Sequence, residues 1–234
     1  MDEPKEIGDW LMICVLGAGA FGKVSLWRNK VNDEYIAVKK CKFMLPDHLT
    51  KRQRERWINE VDIMKTLANE NIVAYKELPS ILKATFEKYN PTRLPILSME
   101  YCTKGNLRKL LLQTKNLMGC DEEDVRCILK DVSNAVAYLH SKNITHRDIK
   151  PENIVIQDYE GRPSRHLYKL IDLGYAKELE TLASFVGTLP YLAPEIFCNN
   201  SYNCSVDYWS LGILTYEMIT GVHPFLPNKT PVES

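Results

Sequence analysis

The sequence predicts an α+β fold, and three observations predict it. A glycine-containing segment at 17–35 reads as a β-hairpin, residues 54–67 carry helical periodicity, and the apolar run 209–219 reads as a helix buried in a core. With 234 residues, 45% of them apolar, the chain can bury a sizeable core as one domain. Thirty basic and thirty acidic side chains give zero formal charge, so nothing electrostatic favours nucleic acid. The start, Met1-Asp2-Glu3-Pro4-Lys5-Glu6, is acidic and polar and is not expected to be a secretory signal. Trp209–Ile219 is too short to span a bilayer and includes Ser210 and Glu217, so no membrane role is expected. Seven cysteines (14, 41, 102, 120, 127, 198 and 204) are odd in number and scattered, with no Cys-x-x-Cys pair. That pattern favours reduced thiols in the cytoplasm or nucleus over disulfides or a zinc site.

The elements follow in order. Gly17-Ala18-Gly19-Ala20-Phe21-Gly22-Lys23-Val24 has a glycine spacing shared with dinucleotide-binding turns. Such a turn needs a helix behind it, whose N-terminus takes the pyrophosphate. Here Lys23–Arg28 alternates and Asn29–Glu34 is turn-forming, so a hairpin follows instead. Nor do the glycines lead into Lys-Ser or Lys-Thr, as a Walker-type loop requires. Ile36-Ala37-Val38-Lys39 is an apolar strand ending in a cation. In 54–67, Trp57, Val61, Met64 and either Ile63 or Leu67 form the apolar stripe, with Glu60 beside it. Glu55 and Asp62 point more towards solvent, and Lys51, Arg52, Arg54 and Arg56 read as the solvated start of that helix.

The chemistry is concentrated in His146-Arg147-Asp148-Ile149-Lys150-Pro151-Glu152-Asn153. One short loop sets a carboxylate, a cation and a carboxamide close together, and its resemblance to a known catalytic loop makes them proton acceptor, phosphoryl neutraliser and metal ligand. It resembles the catalytic loop of protein kinases, in the Ser/Thr form that places Lys two residues after the Asp. The resemblance implies a two-lobed protein kinase fold: an antiparallel β N-lobe with one regulatory helix (1–98), a hinge (99–103) and a mainly helical, incomplete C-lobe (104–234). It implies that Leu16, Gly17, Ala18, Gly19, Ala20, Phe21, Gly22, Lys23 and Val24 cover ATP, whose phosphates Lys39 holds with Glu60 as its fixed carboxylate. Ile171-Asp172-Leu173-Gly174 matches the metal-binding Asp-Phe-Gly with Leu for Phe. Asp172 and Asn153 are thus the expected Mg2+ ligands, and inferences about Phe switching do not carry over. Gly187-Thr188 is expected in the substrate-facing turn, the Thr188 hydroxyl bridging Asp148 and Lys150. Ala193-Pro194-Glu195 closes the activation segment, and Asp207 is expected to brace the catalytic loop.

A narrower resemblance rests on Asp172–Leu179, Ser184–Leu189, Met99-Glu100-Tyr101-Cys102, Gly105–Arg108, Arg54–Trp57 and Pro224–Asn228. Together these are similar to the IκB kinase catalytic subunits, α/β group. The resemblance implies a cytoplasmic serine kinase that phosphorylates IκB-like inhibitors in NF-κB signalling and is itself activated by an upstream kinase. It also makes Met99 the gatekeeper, Ala37 part of the nucleotide site, and the Glu100 and Cys102 backbones partners of adenine.

Two departures bear on that expectation. Family members carry two activation-loop serines four residues apart; Ser184 matches the second, and Glu180 stands where the first should be. Either Glu180 supplies part of a phosphate's charge permanently, one negative charge against roughly 1.5–2, or Thr181 is the first acceptor, or Glu180 is merely solvated. Arg147 is the cation such a group would meet. The sequence also stops at Ser234, before the helices that follow in a kinase C-lobe. Glu195 is therefore expected to lack an ion partner, Leu211, Leu214 and Met218 to lose cover, and the family's scaffold and dimer contacts to lie outside the chain. The alternative expectation is a non-catalytic interaction fragment.

Overall fold

In the computed structural model, residues 4–19, 22–43, 49–161, 164–178, 187–197 and 202–226 are described, without the side chains of Lys177 and Glu178. The chain forms two compact units. One comprises Met1–Ala68 with Val73–Tyr101; the other comprises Asn69–Ile72 with Cys102–Ser234.

The first unit is built on a five-stranded antiparallel sheet, β1 (Glu6–Ile7), β2 (Trp10–Ala18), β3 (Gly22–Asn29), β4 (Tyr35–Cys41) and β5 (Leu97–Glu100), paired in that order. Successive side chains of a strand face opposite sides, and here the two faces have different tasks. Trp27, Ile36 and Val38 join Ile7 and Trp10 in a core completed by Leu82 and Phe86. The last two lie four residues apart on α2 (Ser80–Lys88), a short second helix absent from the expectation of one. The other face carries Val24, Ala37 and Lys39, with Val24 opposite Lys39 and Ala37 opposite Met99.

Helix α1 (Lys51–Thr66) begins earlier than its apolar stripe, because Thr50 and Gln53 form a reciprocal capping box. Trp57, Glu60, Val61 and Met64 are its buried residues; Ile63 and Leu67 are half-buried. Lys51 and Arg52 are exposed, whereas Arg54 and Arg56 are half-buried.

In the second unit, α3 (Leu107–Leu111) precedes the long α4 (Glu122–Ser141), whose buried stripe runs Val125, Ile128, Val132, Ala135, Val136, Leu139. Acidic Glu122, Glu123 and Asp124 occupy its first turn, where the helix dipole favours them. Strands β6 (Ile144–Thr145) and β9 (Lys177–Glu178) pair antiparallel, as do β7 (Ile154–Asp158) and β8 (His166–Leu170). The segment 69–72 is stitched to this unit: Asn71 donates to Tyr168 O at 3.0 Å and accepts from Asn134 at 2.6 Å.

Helix α5 (Ser205–Thr220) ends at Gly221, left-handed at φ 74. Its burial corrects two expectations. Leu214 and Met218 are fully buried and Leu211 half-buried, so the first two have kept their cover. Nor is the apolar run buried all round: Trp209, Tyr216 and Ile219 are exposed, because a mostly apolar run does not say which face is covered.

Candidate active site

Within the first unit, Lys39 Nζ donates to Glu60 Oε1 at 2.5 Å. The Lys39 side chain is 16% exposed and that of Glu60 5%, so the pair is well shielded from water. Lys39 also lies 5.6 Å from the centroid of the Trp57 ring, on the same helix as Glu60. The glycine hairpin is tied to that ring. Gly22 is buried, and a Cβ there would sit 2.9 Å from the Trp57 ring edge, so only hydrogen fits. Gly19 N closes the hairpin on Gly22 O at 2.8 Å. Leu16, Gly17, Ala18, Gly19 and Lys23 are exposed and Val24 is half-buried; Ala20 and Phe21 lie outside the described residues.

Met99 and Glu100 are half-buried on β5. The Glu100 amide donates to Ala74 O at 3.0 Å, and its carboxylate accepts from Ala74 N at 2.7 Å. That amide is therefore committed within the protein. Cys102, in the second unit, is buried.

The second unit gathers the loop 146–153 around Asp148. The Thr188 hydroxyl donates to Asp148 Oδ1 at 2.6 Å and accepts from Lys150 Nζ at 2.5 Å. Lys150 Nζ also lies 2.9 Å from Asp148 Oδ2. Asn153 Nδ2 donates to both the main-chain oxygen and Oδ2 of Asp148, at 2.8 Å each. Asp148 is buried to 3% exposure, so these donors replace the water its carboxylate would otherwise hold.

Two buried groups support that cluster. Asp207 is fully buried and accepts from the amides of His146 (2.9 Å) and Arg147 (2.8 Å), while His140 Nε2 lies 2.8 Å from it. Gly187 precedes Thr188 at φ 118, and a Cβ there would meet Arg147 O at 2.6 Å. Arg147 and Asp172 take the left-handed φ values 67 and 63, which residues other than glycine rarely adopt. The Arg147 guanidinium donates to Tyr175 O at 2.6 Å and to the Tyr202 hydroxyl at 3.2 Å. Glu180, Thr181 and Ser184 lie outside the described residues. Glu195 is half-buried and has no ion partner among the described residues.

Asp172 is half-buried, and Leu173 beside it is 1% exposed. Ile171 joins this segment to the catalytic loop: its amide donates to Asn153 O at 2.9 Å, and its carbonyl lies 3.1 Å from His146 Nε2. Asn153 spends its amide nitrogen on Asp148, which leaves Oδ1 for a ligand. Two oxygen donors, one anionic and one neutral, suit a hard divalent cation.

The sequence reading missed a buried polar cluster next to this site. Arg108 on α3 reaches Glu152, Glu217 and the Tyr191 hydroxyl, residues 44, 109 and 83 positions away. An arginine in Gly-Asn-Leu-Arg carries no local signal of burial.

The protein kinase domain family matches residues 11–233. The bovine (Bos taurus) inhibitor of nuclear factor kappa-B kinase subunit beta is 46% identical over 97% of this chain and 29% of its own length. The zebrafish (Danio rerio) subunit alpha is 44% identical over the same shares. A fruit-fly (Drosophila melanogaster) cGMP-dependent protein kinase is 34% identical over 93% of this chain and 21% of its own length. The chain thus spans less than a third of the length of the curated relatives it matches. On the family match over nearly its whole length, with Lys39–Glu60 and the Asp148 cluster in place, the chain belongs to the protein kinase domain family.

Proposed function

We propose that the chain is a serine/threonine protein kinase of the IκB kinase type, transferring the γ-phosphoryl of ATP to serines of IκB-like inhibitor proteins. The observation that carries the reading is the cluster of Asp148, Lys150 and Asn153 on the 146–153 loop with Thr188. The similarity to subunits named for kinase activity on the inhibitor of nuclear factor kappa-B supports the substrate class.

In this mechanism Lys39, held by Glu60, aligns the α- and β-phosphates of ATP. Asp172 and Asn153 would hold Mg2+, whose charge would offset that of the phosphates. Asp148 orients the incoming serine hydroxyl and accepts its proton. Lys150 offsets the charge that grows on the moving phosphoryl group, and Thr188 fixes the distance between Asp148 and Lys150. Most of the rate arises from such positioning, since phosphoryl transfer asks little covalent chemistry of the protein. Ser184 is the proposed activating site for an upstream kinase, with Thr181 or the carboxylate of Glu180 in the role of the first family serine. The cytoplasm suits the six described cysteines, all free thiols.

The test is Mg-ATP-dependent phosphate transfer to a serine peptide from an IκB-type inhibitor, beside Asp148→Asn. Transfer that falls roughly a hundredfold to ten-thousandfold in the variant supports the reading. No transfer by the native chain, with ATP still bound, would make it a binding module and sink the kinase proposal.

A further inference from the structure

Arg108 takes its cation into the interior of the second unit. Its side chain is 10% exposed, and it donates to Glu152 Oε1 at 2.6 Å, Glu217 Oε1 at 2.5 Å and the Tyr191 hydroxyl at 2.7 Å. The Tyr191 hydroxyl donates in turn to Glu217 Oε2 at 2.5 Å. Burial opposes the Arg108 charge, but Tyr191, Glu217 and Glu152 together outweigh it and hold the guanidinium above its usual range. Burial first, and Glu217 next, push the Tyr191 phenol up, so it stays protonated. The cluster therefore sets one cation against two carboxylates.

Its place matters. Glu152 lies in the Pro151–Asn153 turn that Lys150 caps, and Tyr191 lies in the Leu189–Tyr191 turn that Thr188 caps. The cluster is thus fastened to both segments that carry the Asp148–Lys150–Thr188 contacts. Glu217 is 2% exposed, but the Glu152 side chain is 38% exposed, so Glu152 is its open edge. Glu152 Oε2 is buried without a hydrogen-bond partner.

Two neighbouring carboxylates beside a peptide acceptor site form an attractive seat for a basic side chain. Here the chain fills that seat itself. An incoming guanidinium would meet Arg108, and the one carboxylate oxygen left without a partner, Glu152 Oε2, is buried out of its reach. We propose that Arg108 is a specificity-determining residue that closes an anionic subsite beside the acceptor serine. The kinase thereby selects serine peptides without a basic side chain at that subsite. The inference rests on the kinase reading above and names the substrate class for the same site.

The experiment uses a serine peptide and a series in which one Gln before the acceptor is replaced by Arg. Transfer gives relative kcat/KM; fluorescence anisotropy of labelled peptides gives affinity without catalysis, at low and high salt. The native chain should show no preference for any Arg peptide. Arg108→Met should gain about tenfold preference for Arg at one position, weakened by salt. Should that variant fail to fold around a lone Glu217, Arg108→Met with Glu217→Gln carries the prediction through Glu152. Adding Glu152→Gln should abolish the gain. A native preference for Arg, or an equal loss for all peptides in Arg108→Met, overturns the proposal. Absence of transfer by the native chain counts against the kinase reading alone, since the anisotropy comparison still decides the subsite.

Discussion

Thr188 donates its hydroxyl to Asp148 Oδ1 at 2.6 Å across forty positions of sequence, and Lys150 donates to the same hydroxyl. Asp148 and Lys150 are therefore held at a set separation by a third side chain. Thr188→Val keeps the shape and removes the bridge. Steady-state kinetics should show kcat lower by about a hundredfold, the scale of a small misplacement of reacting groups, with KM for ATP little changed.

Glu60→Gln leaves Lys39 facing a neutral amide at a site where little water reaches it. Removing one partner of a buried ion pair typically costs about 3–5 kcal/mol. Urea unfolding should show a lower midpoint, with the unfolding free energy reduced by an amount at the low end of that range, because Lys39 retains 16% exposure. Weaker ATP binding in calorimetry should accompany it, whereas an exposed pair would change neither measurement.

Asp207→Asn should loosen the catalytic loop from behind. Both carboxylate oxygens accept main-chain amides, from His146 and Arg147, and the Asn must turn a donor towards one of them. The loss should be about 1–3 kcal/mol in stability. Hydrogen exchange should show faster exchange of the His146 and Arg147 amides; unchanged exchange would mean the loop is held by other contacts.

His223 is 3% exposed, and burial pulls its pKa down from the usual 6.5, aided by Arg108 and opposed by Glu217 and the Pro190 carbonyl. Below 6.5 the unfolded chain binds a proton that the folded chain refuses. Its contribution to stability is therefore complete above 6.5 and is lost as pH falls towards the lower folded value. Tm measured from about pH 7.5 down to about pH 5.5 should fall less steeply in His223→Gln, which keeps an acceptor for the Phe225 amide but does not titrate.

Much of this site was legible in the sequence, where its residues lie close together or on a periodic stripe. Lys39 follows the apolar Ile36–Val38 of β4 and Glu60 borders the Trp57–Val61–Met64 stripe, so strand period and helix period together select the pair. Arg108 had no such signal, because its partners are brought to it only by tertiary packing. Helix α2 escaped notice because nine residues held by Leu82 and Phe86 leave too short a pattern to stand out from a loop. The run 209–219 announced a helix, but its exposed Tyr216 and Ile219 depend on what lies against each face.

Trp57 has a consequence of another kind. Its indole N–H donates to Pro95 O at 2.7 Å, its ring edge presses on Gly22, and the Lys39 ammonium lies 5.6 Å from its centroid. One chromophore thus borders the glycine hairpin, the helix that bears Glu60 and the approach to β5. With Trp10, Trp27 and Trp209 replaced by Phe, the remaining emission would follow the Lys39–Glu60 pair as nucleotide binds, with no dye attached.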